Sequence, residues 1–127
     1  MKFAVVDCET TGSEQEDEPV AIGVLLAHAD PTGLGVVVDS WYGEQSPSVP
    51  MSTSAEMIHG IAPSQLTGKF FNVKELLSIL RHADLILSHN ARFDARMIGK
   101  VLPDIVLRNW RCSLKQTRCA TCRTSPS

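Results

Sequence analysis

The sequence predicts an α/β fold, because three strand-like apolar runs occupy its first third and a fourth, shorter run lies between two segments of helical periodicity. Met1 to Asp7 reads as the first strand, Val20 to His28 as the second and Gly35 to Tyr42 as the third. Asp30-Pro31-Thr32-Gly33 supplies turn chemistry for a hairpin between the last two. Helices follow. Pro50 to Gly60 and Pro63 to Leu66 read as short helical turns punctuated by Gly60 and Pro63. The clearest helix begins at Asn72 as N-cap with Glu75 as its capping partner, and sets Val73, Leu76, Leu77 and Leu80 on one face. Leu85 to Ser88 is apolar enough for a central strand covered on both sides. Phe93, Met97, Ile98 and Val101 mark one face of the next helix, with Asn90 as its N-cap and Pro103 as its terminator. A last strand is expected around Leu107 to Cys112.

The chemistry concentrates where apolar runs end. Phe3-Ala4-Val5-Val6 leads straight into Asp7 and Glu9, and in a strand residues i and i+2 point to one face. Two carboxylates side by side repel unless a cation or protons sit between them, which suits a hard divalent ion with oxygen ligands. A solvated acidic turn is the alternative reading. Asp94 ends a similar progression, Leu85-Ile86-Leu87-Ser88-His89-Asn90-Ala91-Arg92-Phe93-Asp94. If the two runs are neighbouring strands, Asp94 is expected to face Asp7 and Glu9 across one end of the sheet.

These residues carry a family resemblance. Val6-Asp7-Cys8-Glu9-Thr10-Thr11-Gly12 resembles the first motif of the DEDD (DnaQ-like, ribonuclease T-like) 3′-to-5′ exonucleases, the group holding polymerase proofreading subunits, ribonuclease T and oligoribonuclease. His89-Asn90-Ala91-Arg92-Phe93-Asp94 resembles their second motif, and Met57-Ile58-His59-Gly60-Ile61 the segment between the two. Three matches in order are far more specific than one. The resemblance implies a ribonuclease H-like mixed sheet, three antiparallel strands first and parallel strands after, flanked by helices with the C-terminal one incomplete. It implies two-metal phosphodiester hydrolysis with Mg²⁺ or Mn²⁺, Asp7 bridging the ions, Glu9 holding one and Asp94 the other. By the same resemblance Thr10, Thr11, His59, Asn90 and Phe93 contact the terminal nucleotide of a single strand. For Phe93 the alternative is a core position, and for His59 a helix C-cap. Asn90 can cap and contact substrate at once.

One family feature is missing. Members carry a third motif, a His or Tyr followed by a fourth acidic ligand, whereas after Asp94 this sequence holds only Asp104 among acids and no His or Tyr. Cys112-Ser113-Leu114 resembles the start of the family's next helix, after which apolar periodicity decays. The chain therefore reads as a truncated member, with an exonuclease-like domain over residues 1–112 and a basic tail over 113–127. The expected activity is impaired, since the missing base is worth about 10² to 10⁴ in rate. The alternative is a catalytically inactive module that keeps the fold to bind nucleic acid or a polymerase.

Composition narrows the setting. A chain of 127 residues allows one modest core. Net charge is −2, divided between an acidic loop, Glu14-Gln15-Glu16-Asp17-Glu18, and a C-terminal segment holding Arg108, Arg111, Lys115, Arg118 and Arg123. Charge does not form the stripe expected of a duplex-DNA binder. No apolar run approaches the roughly 18 residues a membrane span needs, and no secretory signal is seen, so a cytoplasmic location is expected. Cys8, Cys112, Cys119 and Cys122 read as free thiols by default. Cys119 and Cys122 have the spacing of half a zinc site, with Cys112 as a conceivable third ligand, but no second pair completes it. The expected partners are single-stranded 3′ ends, a DNA polymerase or a second copy of the chain.

Overall fold

The computed structural model describes residues 1–33, 35–102 and 110–112. Strand β1 (Lys2–Thr10) runs antiparallel to β2 (Pro19–Ala29), which pairs antiparallel with β3 (Gly35–Glu44). On its other side β1 lies parallel to β4 (Leu85–Ser88), and β4 parallel to β5 (Trp110–Cys112). The sheet order is β3-β2-β1-β4-β5, the expected antiparallel half followed by the parallel half. Each of the first three strands is longer than the sequence reading. The largest difference is in β1, which continues past Asp7 because Asp7, Cys8 and Glu9 pair in register with Gly23, Ile22 and Ala21. Cross-strand pairing overrides the low strand preference of the acids. The hairpin turn forms as read: the Gly33 N–H donates to the Asp30 carbonyl at 3.0 Å, and Gly33 takes φ +87°.

Among the described residues three helices follow, with a 3₁₀ turn at Pro63–Leu66 after the first. Helix α1 (Thr53–His59) starts where the Ser52 hydroxyl accepts the Ala55 N–H at 3.1 Å. It stops at Gly60, whose φ of +71° is the left-handed conformation glycine adopts without strain. Gly60, not His59, is therefore its C-cap. Helix α2 (Val73–Arg81) starts as predicted, with the Asn72 side chain accepting the Glu75 N–H at 3.2 Å. The reciprocal half of that box is replaced by another contact: the Glu75 carboxylate accepts the Trp41 indole N–H at 3.1 Å and ties α2 to β3. Its buried face is Leu76, Ile79 and Leu80, whereas Val73 is 42% exposed. Val73 sits in the first turn, where the helix overhangs the sheet.

Helix α3 (Ala91–Gly99) buries Met97 and Ile98 completely, with Phe93 and Val101 half-buried against the same core. Asn90 occupies its N-cap position, but the Asn90 side chain makes no capping hydrogen bond. The helix ends at Gly99 rather than at Pro103, because the Val101 and Leu102 N–H groups turn back onto the Ile98 carbonyl. Pro103, the start of the expected last strand at Leu107, and the segment 113–127 with Cys119 and Cys122 lie outside the described residues. Among the described residues no helix is long and apolar enough to cross a membrane.

One sheet face carries the core. Ala4, Val6 and Cys8 of β1, Ile22, Val24 and Leu26 of β2, and Ile86 of β4 meet Leu76, Leu80, Met97 and Ile98 of the helices. The residues pointing the other way, Val5, Leu25 and Tyr42, are 40%, 46% and 62% exposed. The continuous apolar run of β4 thus reflects a central position with one well-covered face. Leu76 is fully buried at the centre of that core. Leu76→Ala is expected to cost about 2 to 5 kcal/mol, which urea unfolding would register as a lower midpoint at an unchanged slope.

Candidate active site

Alternation along β1 divides the site. Asp7 and Glu9 point to the open face, while Cys8, buried between them, points into the covered one. Glu9 is half-buried and its carboxyl is pushed up from the usual range, first by burial and then by the negative charge of Asp7, with His59 opposing. That mutual repulsion is what a bound cation relieves.

Asp94 lies in the first turn of α3 and is 5% exposed. Its carboxylate accepts a hydrogen bond from the Ser88 hydroxyl at the end of β4 and another from the Cys8 thiol. Burial raises the Asp94 carboxyl to about 6; the Ser88 and Cys8 hydrogen bonds oppose that rise and the charge of Asp7 adds to it. The Cys8 thiol is pushed far up by burial and by the negative charges of Asp94 and Asp7 around it, so it stays protonated. Asp94 is thus near enough to feel the charge of Asp7 and is bonded to Cys8, the residue between the two acids of β1.

Asp7, Glu9 and Asp94, the three acids expected to share a cation, all bear electrostatically on Cys8. Among the described residues no group of three or more His, Cys, Asp or Glu side chains is arranged to hold a metal ion. Asp94 accepts from Ser88 and Cys8, and its two oxygens have lone pairs beyond those two bonds. Asp7 and Glu9 suit a divalent cation in charge and in shared facing.

A cavity of about 390 Å³ opens beside the end of β1, lined by Cys8, Glu9 and Thr10, by Gly12, Ser13, Glu14 and Asp17, by Ser52, Ser54, Ala55, Ile58 and His59, and by Phe93. Four of the sequence-predicted residues, Glu9, Thr10, His59 and Phe93, therefore share one pocket. Thr11 does not. It is fully buried, its hydroxyl donating to the Asp17 carboxylate at 2.7 Å and accepting the Glu18 N–H at 3.0 Å. Asn90 is also apart from the cavity, exposed at the start of α3, its N–H bonded to the Ser88 hydroxyl at 3.2 Å.

His59 is a strut as well as a lining residue. Its Nδ1 accepts the Ile61 N–H at 3.0 Å, which leaves Nε2 to carry the proton and donate to the Thr10 carbonyl at 3.0 Å. Both ring nitrogens are thereby occupied by main chain, and α1 is fixed to the end of β1. Phe93 takes both of its expected parts, half in the core and half on the cavity wall.

Two buried polar residues escaped the sequence reading. Ser88 looks like an ordinary strand terminus, and only the six-residue separation from Asp94, across a strand-to-helix turn, hints at their bond. Asp17 belongs to what reads as a solvated acidic run, yet it is 8% exposed and its carboxylate also accepts the Glu14 N–H at 2.8 Å. The signal was the neighbouring Gly12, since a Cβ there would collide with the Asp17 carboxylate.

The arrangement defines a ribonuclease H-like α/β domain with two same-facing carboxylates on β1, of which Glu9 lines the cavity. Comparison with solved structures agrees on the fold. A metal-free complex of E. coli exonuclease I with single-stranded DNA superimposes with a TM-score of 0.74 at 19% identity, over 92% of this chain and 29% of that one. The zinc-bound form of that complex gives the same TM-score, identity and coverage of both chains, 0.74, 19%, 92% and 29%. Product-bound exonuclease I gives 0.69 at 20% identity, over 92% and 31% of the two chains. The chain thus spans about three tenths of the length of these neighbours. A search of curated proteins found no match. The RNase_T exonuclease family model matches residues 4–125, and the chain belongs to that family, within the DEDD superfamily of nucleases.

Proposed function

We propose that this chain is a 3′-to-5′ exonuclease domain acting on single-stranded DNA or RNA ends, with Mg²⁺ or Mn²⁺ as its cation. The observation that carries the reading is the Asp7 and Glu9 pair, same-facing and mutually repelling, with Glu9 on the wall of the 390 Å³ cavity. Family membership and solved neighbours that bind single-stranded DNA support it.

Asp7, Glu9 and Asp94 would hold the cation, with the Asp94 carboxylate positioned by its bonds from Ser88 and Cys8. When bound, a divalent ion supplies Lewis-acid activation of water and neutralises charge at the phosphate. The chain's own residues do the rest. Thr10, its hydroxyl donating to the Gly12 carbonyl at 2.8 Å, and the His59 strut hold the strand end in place. Ile58 and Phe93 offer apolar surface to a terminal base, which must be unpaired to enter.

A second reading is favoured by the Ser88 and Cys8 hydrogen bonds that Asp94 already accepts: a non-catalytic module that binds single-stranded nucleic acid, a polymerase or a second copy of itself. A 3′-labelled single-stranded oligonucleotide incubated with the chain and Mn²⁺ separates the two. Release of mononucleotides supports the enzyme; retained binding without release supports the module. Millimolar Mn²⁺ is expected to raise the melting temperature, by about 2.7 kcal/mol of linkage at a hundredfold excess over Kd. A melting curve indifferent to Mn²⁺ counts against the cation site.

A further inference from the structure

Resting on the reading of the cavity as a nucleotide pocket, we infer that Arg96 and Lys100 are positioning residues that strap the loop wall of that pocket to α3. Residues 12, 13, 14 and 17 form one side of the cavity, and Phe93 of α3 stands on another. Within the loop, the bonds from the Asp17 carboxylate to Thr11 and Glu14 and from the Asp17 N–H to the Glu14 carbonyl at 3.1 Å fix its shape. They do not fix its distance from the helix.

Arg96 and Lys100 do that. The Arg96 Nη2 donates to the Ser13 carbonyl at 3.2 Å, and the Lys100 ammonium donates to the Gln15 carbonyl at 2.7 Å and to the Asp17 carbonyl. Four residues apart, the two cations lie on one face of the helix end. The Arg96 guanidinium also sits 5.5 Å from the centre of the Phe93 ring, so one side chain touches both walls. Five successive residues, 14 to 18, include four acids, yet both cations direct these donors at main-chain carbonyls rather than at carboxylates. Contacts to the main chain fix the path of the loop whatever its side chains do. The gap between loop and ring is the space a terminal nucleotide must fit, and the strap sets it.

The test uses the intact chain with Arg96→Ala, Lys100→Ala and the double variant, with Arg96→Lys as the conservative comparison. Affinity for deoxythymidine 5′-monophosphate in Mn²⁺ is measured beside amide exchange at residues 14, 17 and 18. The double variant is expected to weaken nucleotide binding about 5- to 20-fold and to speed exchange in the loop. Where turnover is measurable, KM is expected to rise while kcat stays within about threefold, the split that a binding defect produces. Exchange in β1 stays as in the unaltered chain, and Arg96→Lys recovers part of the affinity. Unchanged exchange in the loop, or faster exchange with affinity within about twofold of the unaltered chain, overturns the strap alone. If the unaltered chain itself binds no mononucleotide, the pocket assignment fails and the strap's role in binding fails with it.

Discussion

Asp7→Asn is expected to reduce mononucleotide release by on the order of 10³-fold, the scale of losing one group aimed at charge in a transition state. The change keeps size and removes charge. Asp7 is exposed on the open face of β1, and its backbone pairing with Gly23 does not depend on the side chain. Folding should therefore survive, and the melting temperature without metal should stay within a degree or two, as for surface changes of under about 0.5 kcal/mol. The stabilisation by Mn²⁺ should vanish with the activity. Release at the rate of the unaltered chain would remove Asp7 from the mechanism, and persistent Mn²⁺ stabilisation would remove it from the cation site.

Asp94→Asn, by contrast, should raise stability at neutral pH. The Asp94 carboxyl titrates at about 6 in the folded chain, above its ordinary value, chiefly because it is buried. The folded state then holds a proton that the unfolded state has already released. Stability falls as pH rises from about 4 to 6 and stays lower above that window, by roughly 3 kcal/mol at one pKa unit per 1.36 kcal/mol. Asparagine keeps an oxygen for Ser88 and carries no charge to bury. The variant is expected to melt several degrees higher at pH 7.5, and its stability should be flat where that of the unaltered chain declines. Thermal melts at four or five pH values between 3.5 and 8 check it. Equal melting temperatures at pH 7.5 would mean that Ser88 and Cys8 fully compensate the buried charge.

Much of the sheet was legible because its signals are local. Asp30 to Gly33 is a turn by residue type, Asn72 caps by residue type, and the run Leu85 to Ser88 is bounded on both sides. The ends of β1 were not, because Asp7 and Glu9 look like the close of a strand and are kept in it by partners on β2 far along the chain. The site divides in the same way. Motif spacing identified Glu9, Thr10, His59 and Phe93, which the fold does bring to one cavity. Thr11 and Asn90 lie apart from that cavity, Thr11 held by the loop packing around Asp17 and Asn90 by the turn at Ser88.

β4 accompanies β1 only as far as Val6, whereas β2 follows it to Thr10. The stretch bearing both acids therefore projects beyond its parallel neighbour, braced on one flank by β2 and at its tip by the His59 imidazole. Such a promontory can breathe without melting the interior beneath it, so amides near the acids should open at lower free energy than those from Ala4 to Val6. The reacting end of the domain would then be tuned by small local adjustments, while the folded body behind it stays unaltered.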